Sequence, residues 1–277
     1  MSYHSKLELL KKELKSQGRA LIAFSGGVDS TLLLKVAKGV LGKNVLAVTV
    51  RSPLFPDREL KEAQTFCASQ GIEHLIIVSD VLRYKEFRKN PPDRCYICKK
   101  LLFKELLAVA DQRGVKYVAE GSNLDDLADF RPGRKALLEL GIKSPLLKAG
   151  LTKEEIRILS QKYGLASWDK PSLACLSSRI PYGEEITEEK LSMVDRAEQH
   201  LRDLGFKQVR VRFHGDLARI EIPVADNPRI VDPSIAQQIY NRFADLGFLY
   251  TTLDLKGYRC GSMNEKLPYA AKNLTEP

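Results

Sequence analysis

The sequence has little of what a secreted, membrane-spanning or disulfide-stapled chain requires. It carries five cysteines in 277 residues, an odd number at irregular spacing, which cannot close a disulfide framework. No apolar leader follows Met1, and a reducing cytoplasm is expected. No apolar run approaches the roughly 18 residues of a membrane span, so no membrane partner is expected. Acidic residues are also in deficit: 44 Lys and Arg stand against 35 Asp and Glu, a formal charge of +9. That balance suits a nucleotide, a phosphorylated metabolite or nucleic acid, and charge alone does not choose among them. With 44% hydrophobic and 29% charged residues the chain is neither a disordered tail nor a miniature. Its length suggests one large domain and one smaller, or two of moderate size.

Short apolar runs alternate with helical patterns through the first half. An amphipathic helix over residues 5 to 16 precedes a strand at Ala20 to Phe24, a glycine loop and a helix from Ser30 to Val40. A strand at Val45 to Val50, a helix from Asp57 to Gln70, a strand at His74 to Val78, a helix from Lys99 to Ala110 and a strand at Lys116 to Ala119 follow. This alternation predicts an α/β fold, an open parallel sheet with helices on both faces. A capping box at Thr152 to Glu155 opens a further helix that Gly164 ends. After Pro181-Tyr182-Gly183 the texture changes to long helices followed by paired strands, which places a boundary between residues 1–183 and a smaller α+β C-terminal domain, 184–277. Asp-Leu-Gly-Phe recurs at the end of two helices there, and each copy reads helix, strand, turn, strand.

Ser25-Gly26-Gly27-Val28-Asp29-Ser30 falls between a buried strand and a helix, where a parallel sheet places its ligand crevice. The glycines admit an anion close to the backbone, and helix-start N–H groups with the Ser25 and Ser30 hydroxyls can donate to phosphate oxygens. Asp29 makes sense beside phosphates if Mg²⁺ lies between them. A tight strand-to-helix turn capped by Asp29 is the plainer alternative. The loop has neither the lysine of a Walker loop nor the third glycine of a dinucleotide fingerprint. With its preceding strand it resembles the pyrophosphate loop of the N-type ATP pyrophosphatases, whose adenine nucleotide alpha hydrolase-like fold is then implied. That resemblance implies ATP cleavage to AMP and pyrophosphate through an adenylated substrate.

Cys95 and Cys98 form a Cys-x-x-Cys pair at a helix start flanked by Arg94, Lys99 and Lys100, a setting that favours thiolates. With Cys175 they supply three thiolates, one fewer than a closed zinc or iron–sulfur site. A structural zinc completed by Cys67 or a histidine, and unligated thiols, remain open alternatives. Cys67 and Cys260 read as ordinary buried thiols. Arg210 and Arg212 alternate along a predicted strand, so two guanidinium groups leave one face and could grip a phosphate; a solvated strand face is the alternative.

The chain is similar to the LarE family of ATP-dependent sulfur transferases over nearly its full length. The residues that carry this are Phe24 to Ser30, Phe130 to Gly133, Cys175 with Ser177-Ser178-Arg179, Pro181-Tyr182-Gly183, and Val209 to His214. The resemblance implies that ATP adenylates a carboxylate of a pyridinium dicarboxylate mononucleotide and that sulfur displaces AMP, leaving a thiocarboxylate for a nickel-pincer nucleotide cofactor. One family branch sacrifices the sulfur of a single cysteine, matching Cys175. The other, which Cys95 and Cys98 resemble, holds a 4Fe-4S cluster on three cysteines and takes sulfur from a donor that the sequence does not identify. The implied machinery is ATP, Mg²⁺ and the cluster, with Ser178, Arg210 and Arg212 on the substrate phosphate and a homo-oligomeric assembly. Glu198 and Glu221 match acidic family positions but read as surface carboxylates. Asp125, Asp126 and Asp129 fall where the sheet's carboxyl ends open, with Asp129 and Arg131 as possible lining. A tRNA-thiolating enzyme is the main rival, although only about 20 residues precede the loop and no RNA-binding module fits there. A non-catalytic metal or nucleotide carrier and a glutamine-fed amidotransferase fit less well. The reading requires Cys95, Cys98 and Cys175 to converge at the nucleotide crevice.

Overall fold

The computed structural model describes residues 1–127, 132–171, 174–259 and 261–265. In the first half, α1 (Tyr3–Gln17) leads to β1 (Ala20–Ala23), α2 (Val28–Leu41), β2 (Val45–Arg51), α3 (Asp57–Ser69) and β3 (Glu73–Val78). Then come α4 (Lys85–Arg88), α5 (Arg94–Gln112), β4 (Val118–Ala119), α6 (Gly133–Glu139), α7 (Pro145–Lys148) and α8 (Lys153–Lys162). The four strands form a parallel sheet in the order β3-β2-β1-β4. β1 and β2, flanked on both sides, are buried through Ala20, Leu21, Ile22 and Val45 to Val48, as apolar runs without alternation require. The edge strand β3 leaves Ile76 and Val78 exposed.

Helices cover both faces. Leu10 and Leu14 of α1, Leu32 to Leu34 of α2, Ala63 and Cys67 of α3, and Ile156 and Leu159 of α8 share one core cluster. Phe103 and Leu106 of α5 and Leu137 of α6 share another, with Leu21, Leu46 and Val48. The capping box predicted at α8 forms: Glu155 N–H donates to Thr152 Oγ1 while Thr152 N–H donates to Glu155. Helix α5 starts at Arg94, five residues before the predicted Lys99, so Cys95 and Cys98 lie within its first turn and a half.

The second half contains α9 (Glu188–Asp203), β5 (Arg210–His214), β6 (Leu217–Glu221), α10 (Asn227–Ile230), α11 (Pro233–Asp245) and β7 (Tyr250–Leu253). β5 and β6 form an antiparallel hairpin, and β7 joins β6 in parallel. A closing strand is predicted after Gly257 in the second repeat. Tyr258 N–H still bonds to Ile222 O (2.8 Å), but no strand follows it among the described residues. The Asp254 carboxylate pairs with Arg219 and Arg259. Leu191, Val194, Ala197 and Leu201 of α9 and Phe243 of α11 pack with this sheet in a cluster that also takes in Leu54, Val81, Phe87 and Leu102 from the first half. No helix among the described residues is long and apolar enough to cross a membrane.

Candidate functional site

The strand order puts β2 on one side of β1 and β4 on the other, so a crevice opens beyond the carboxyl end of β1, at a topological switch point. Residues 25–30 occupy that place. Gly26 has φ +72°, a left-handed conformation that glycine adopts without strain, and a Cβ there would meet Glu59 O at 3.6 Å and Ala63 Cβ at 3.7 Å on α3. Ser25 Oγ lies 3.1 Å from Ser30 Oγ, and Gly27 is the N-cap of α2 without a side-chain cap bond. The first N–H groups of a helix have no partner within it and face an anion's natural position. Gly121, just past β4, lies against this turn: a Cβ there would meet Ser30 N at 3.0 Å and Asp29 C at 3.3 Å.

Asp29 is already engaged. Asn123 Nδ2 donates to its Oδ1 (3.1 Å) and Lys153, the first residue of α8, pairs with its Oδ2. Lys153 N–H in turn donates to Asp125 (2.8 Å), and Asn123 N–H to Asp126 (3.0 Å). The sequence singled out Asp29, Asp125 and Asp126 but not Asn123 or Lys153.

These residues line a cavity of about 740 Å³, and Cys95, Cys98 and Cys175 line it too. Its wall further includes Arg94 and Lys99 from α5, Glu120 after β4, Arg58 of α3, and Arg179, Arg202 and Arg210 from the second half. All three cysteines are partly buried, and Cys67 lies apart in the core at 1% exposure, as expected. Burial pushes the Cys98 thiol well above its usual range; Cys175 and Cys95 nearby push the same way, against the pull of Lys99 and Arg94. Among the described residues, no group of three or more Cys, His, Asp or Glu is gathered tightly enough to hold a metal ion. Cys260, Asp129 and Arg131 lie outside the described residues, as do Phe130, Ser172 and Leu173.

Cys175 precedes a single 3₁₀ turn, Leu176 to Arg179, and Arg179 fixes that segment. Its Nη1 donates to Ala174 O (2.8 Å), Cys175 O (3.0 Å) and Ser178 Oγ (2.9 Å), while Nε and Nη2 take both oxygens of Glu198 (2.7 and 2.9 Å). Upstream, Lys170 pairs with Glu59 and Glu62 at 2.5 Å and donates to Gly26 O at 3.3 Å. The segment that carries Cys175 is thereby tied to α3, α9 and the glycine loop.

The two carboxylates read as surface groups are both wholly buried, because each has a guanidinium partner. Glu198 pairs with Arg179 and Glu221 with Arg212. Arg210 and Arg212 are buried as well, at 3% and 5% exposure, rather than on a solvated strand face. Arg210 lines the cavity, and burial, with Arg179 beside it, pulls its guanidinium down to about 10. Arg212 turns the other way, donating to Glu221 (2.7 Å), Ser262 Oγ (3.0 Å) and Ser178 O (3.1 Å), and it is not among the residues lining the cavity.

Known proteins share this arrangement of sequence. A family model described as queuosine biosynthesis protein QueC matches residues 19–90, the stretch from β1 through α4 that contains the glycine loop. Over 268 residues, 96% of each chain, the protein is 42% identical to the pyridinium-3,5-bisthiocarboxylic acid mononucleotide synthase of Lactiplantibacillus plantarum. The chain belongs to the LarE family. An uncharacterized Synechocystis protein is 47% identical over 263 residues, 95% of this chain and 98% of that one. One subunit of the glutamine-hydrolysing GMP synthase of Thermoplasma acidophilum is 27% identical over 223 residues, 73% of this chain and 70% of that one. For this LarE-family chain, the sequence named the glycine loop, Asp29 and three cysteines that line the cavity. Asn123, Lys153, Lys170 and the Arg179–Glu198 pair come into view only when residues distant in the chain meet.

Proposed function

We propose that the chain is an ATP-dependent sulfur transferase that adenylates a carboxylate of a pyridinium dicarboxylate mononucleotide and converts it to a thiocarboxylate for nickel-pincer nucleotide cofactor synthesis. The observation that carries this reading is that the pyrophosphate loop and three cysteines line one cavity, so an activated acyl group and a sulfur nucleophile can meet without release. The full-length likeness to the bisthiocarboxylic acid mononucleotide synthase supplies the substrate class. A substrate carboxylate oxygen attacks the α-phosphorus of ATP and pyrophosphate leaves along Ser25, Gly26, Gly27 and Ser30. Sulfur attack at the acyl carbon then expels AMP. Asp29, with Asn123 orienting it, would hold Mg²⁺. Cys95, Cys98 and Cys175 would hold a 4Fe-4S cluster: they offer only thiols, the donor type such a cluster takes, on a wall enriched in Arg and Lys. When bound, the cluster supplies a transferable sulfide at the iron that three cysteines leave open.

Ser178, Arg210 and Arg212 hold the substrate phosphate in this reading; Arg210 lines the cavity, and Arg212 donates to Ser178 O (3.1 Å). In this reading residues 1–183 form the nucleotide unit and 184–277 the unit that presents substrate and joins copies into a homo-oligomer in the cytoplasm.

The test is product stoichiometry. Protein reconstituted with iron and sulfide, and given ATP, Mg²⁺, the dicarboxylate mononucleotide and excess sulfide as sulfur source, should yield more than one thiocarboxylate per chain. Product capped at one per chain, with Cys175 lighter by one sulfur, would assign the sacrificial route. Thiolation of tRNA in place of the mononucleotide would overturn the substrate assignment.

A further inference from the structure

Among the described residues Arg94 is a buried cation without a carboxylate partner. It is 4% exposed and lines the cavity beside Cys95 and Cys98. A guanidinium removed from water costs several kcal/mol unless an anion and hydrogen bonds offset the loss, on the order of magnitude known for buried ions. Its buried neighbours follow that rule, Arg179 with Glu198 and Arg212 with Glu221. Arg94 does not. Among the described residues the one hydrogen bond of its side chain runs from Nη1 to Asn90 Oδ1 (2.7 Å), and its guanidinium lies over the Tyr182 ring, 4.2 Å from the centroid. Nε is buried with no hydrogen-bond partner, and Nη2 makes no hydrogen bond among the described residues.

Both of its supports are themselves fixed and neutral. Asn90 is fully buried and donates to Ile180 O (3.2 Å) and Pro181 O (2.7 Å), and Tyr182 OH donates to Asn264 Oδ1 (3.0 Å). They hold the guanidinium in one orientation while leaving its charge and its Nε–Nη2 edge unused. That edge presents two parallel N–H donors, the spacing a carboxylate accepts with both oxygens. A single sulfur atom can take both N–H groups only by drawing them to one point, whereas a carboxylate meets each with its own oxygen.

We propose that Arg94 anchors a substrate carboxylate in the corner of the cavity that the three cysteines line. The inference rests on the sulfur-transfer reading and extends it: of the two carboxylates on the pyridinium ring, one is adenylated and Arg94 grips the other. The ring is thereby oriented with its reacting edge towards the sulfur.

Calorimetric binding to the full-length protein without ATP tests this, using three mononucleotides that carry two, one and no ring carboxylates: the 3,5-dicarboxylate, nicotinate mononucleotide and nicotinamide mononucleotide. The wild type should bind the dicarboxylate at least tenfold more tightly than the monocarboxylate. Arg94→Gln should abolish that gap, and Arg94→Lys, which keeps the charge but not the fork, should leave only part of it. ATP binding and the melting temperature of Arg94→Lys should match the wild type. A gap that survives Arg94→Gln would overturn the anchor while leaving sulfur transfer intact. So would an equal loss of all three ligands in both variants, since Arg94 would then only shape the wall. A wild type that binds none of the three would fail the sulfur-transfer reading, and the anchor with it.

Discussion

Replacing Glu198 by alanine should destabilise the protein by about 3–5 kcal/mol, the range seen when one partner of a buried ion pair is removed. Burial alone would raise the Glu198 carboxyl, but the Arg179 charge and its two hydrogen bonds, with help from Arg210 and the Val211 N–H, outweigh it and hold the group at about 2. Because the folded value lies below the unfolded one, this contribution is complete above about pH 4.5 and is lost as pH falls towards 2. Urea denaturation at pH 7 and at steps down to pH 3 measures both quantities. Glu198→Ala should be weaker at pH 7 and should lack that part of the acid slope. The double replacement Arg179→Met with Glu198→Leu should regain part of the stability, because the Arg179 guanidinium is not left buried without its carboxylate, while Arg210 and Arg202 still lose the Glu198 charge. It should nevertheless release the Ala174 and Cys175 carbonyls, so Cys175 should be alkylated faster than in the wild type. A loss below about 1 kcal/mol in Glu198→Ala would refute the reasoning, since only a solvent-exposed pair is worth so little.

Three further outcomes follow from the same geometry. Asp29→Ala should abolish pyrophosphate release while the visible absorbance of the reconstituted protein is retained, whereas joint loss of both would signal misfolding. Gly121→Ala should weaken ATP binding and cost about 1–3 kcal/mol in urea unfolding, because its Cβ would press on Ser30 N and Asp29 C at the start of α2. Burial pushes the Cys67 thiol up to about 12, so mass spectrometry after iodoacetamide treatment of the folded protein at pH 8 should find Cys67 unmodified and Cys175 labelled; labelled Cys67 would contradict its place in the core.

The parallel sheet was legible because its signals are local. Continuous apolar runs gave β1 and β2, the capping box gave α8, and the glycine loop marked the crevice. What the sequence concealed depended on distant pairing. Glu198 and Glu221 read as surface groups because a carboxylate belongs in water unless a partner is known, and their partners lie 19 and 9 positions away. Asp29 meets Asn123 and Lys153 across 94 and 124 positions, so nothing near the loop foretold either contact. The early start of α5 escaped notice because Cys95 to Cys98 show no apolar stripe. Pro91-Pro92-Asp93 immediately before it was the available signal, an extended pair leading into an N-cap. Among the described residues the second copy shows no closing strand, so a repeated sequence need not repeat its pairing.

The fate of the carboxylate oxygen tests the chemistry most directly. Dicarboxylate mononucleotide labelled with ¹⁸O in its carboxyl groups should, after reaction with ATP, yield AMP carrying one ¹⁸O atom, because the attacking oxygen stays on phosphorus when sulfur displaces it. Unlabelled AMP beside labelled orthophosphate, or ADP as the nucleotide product, would contradict an acyl adenylate formed at this loop.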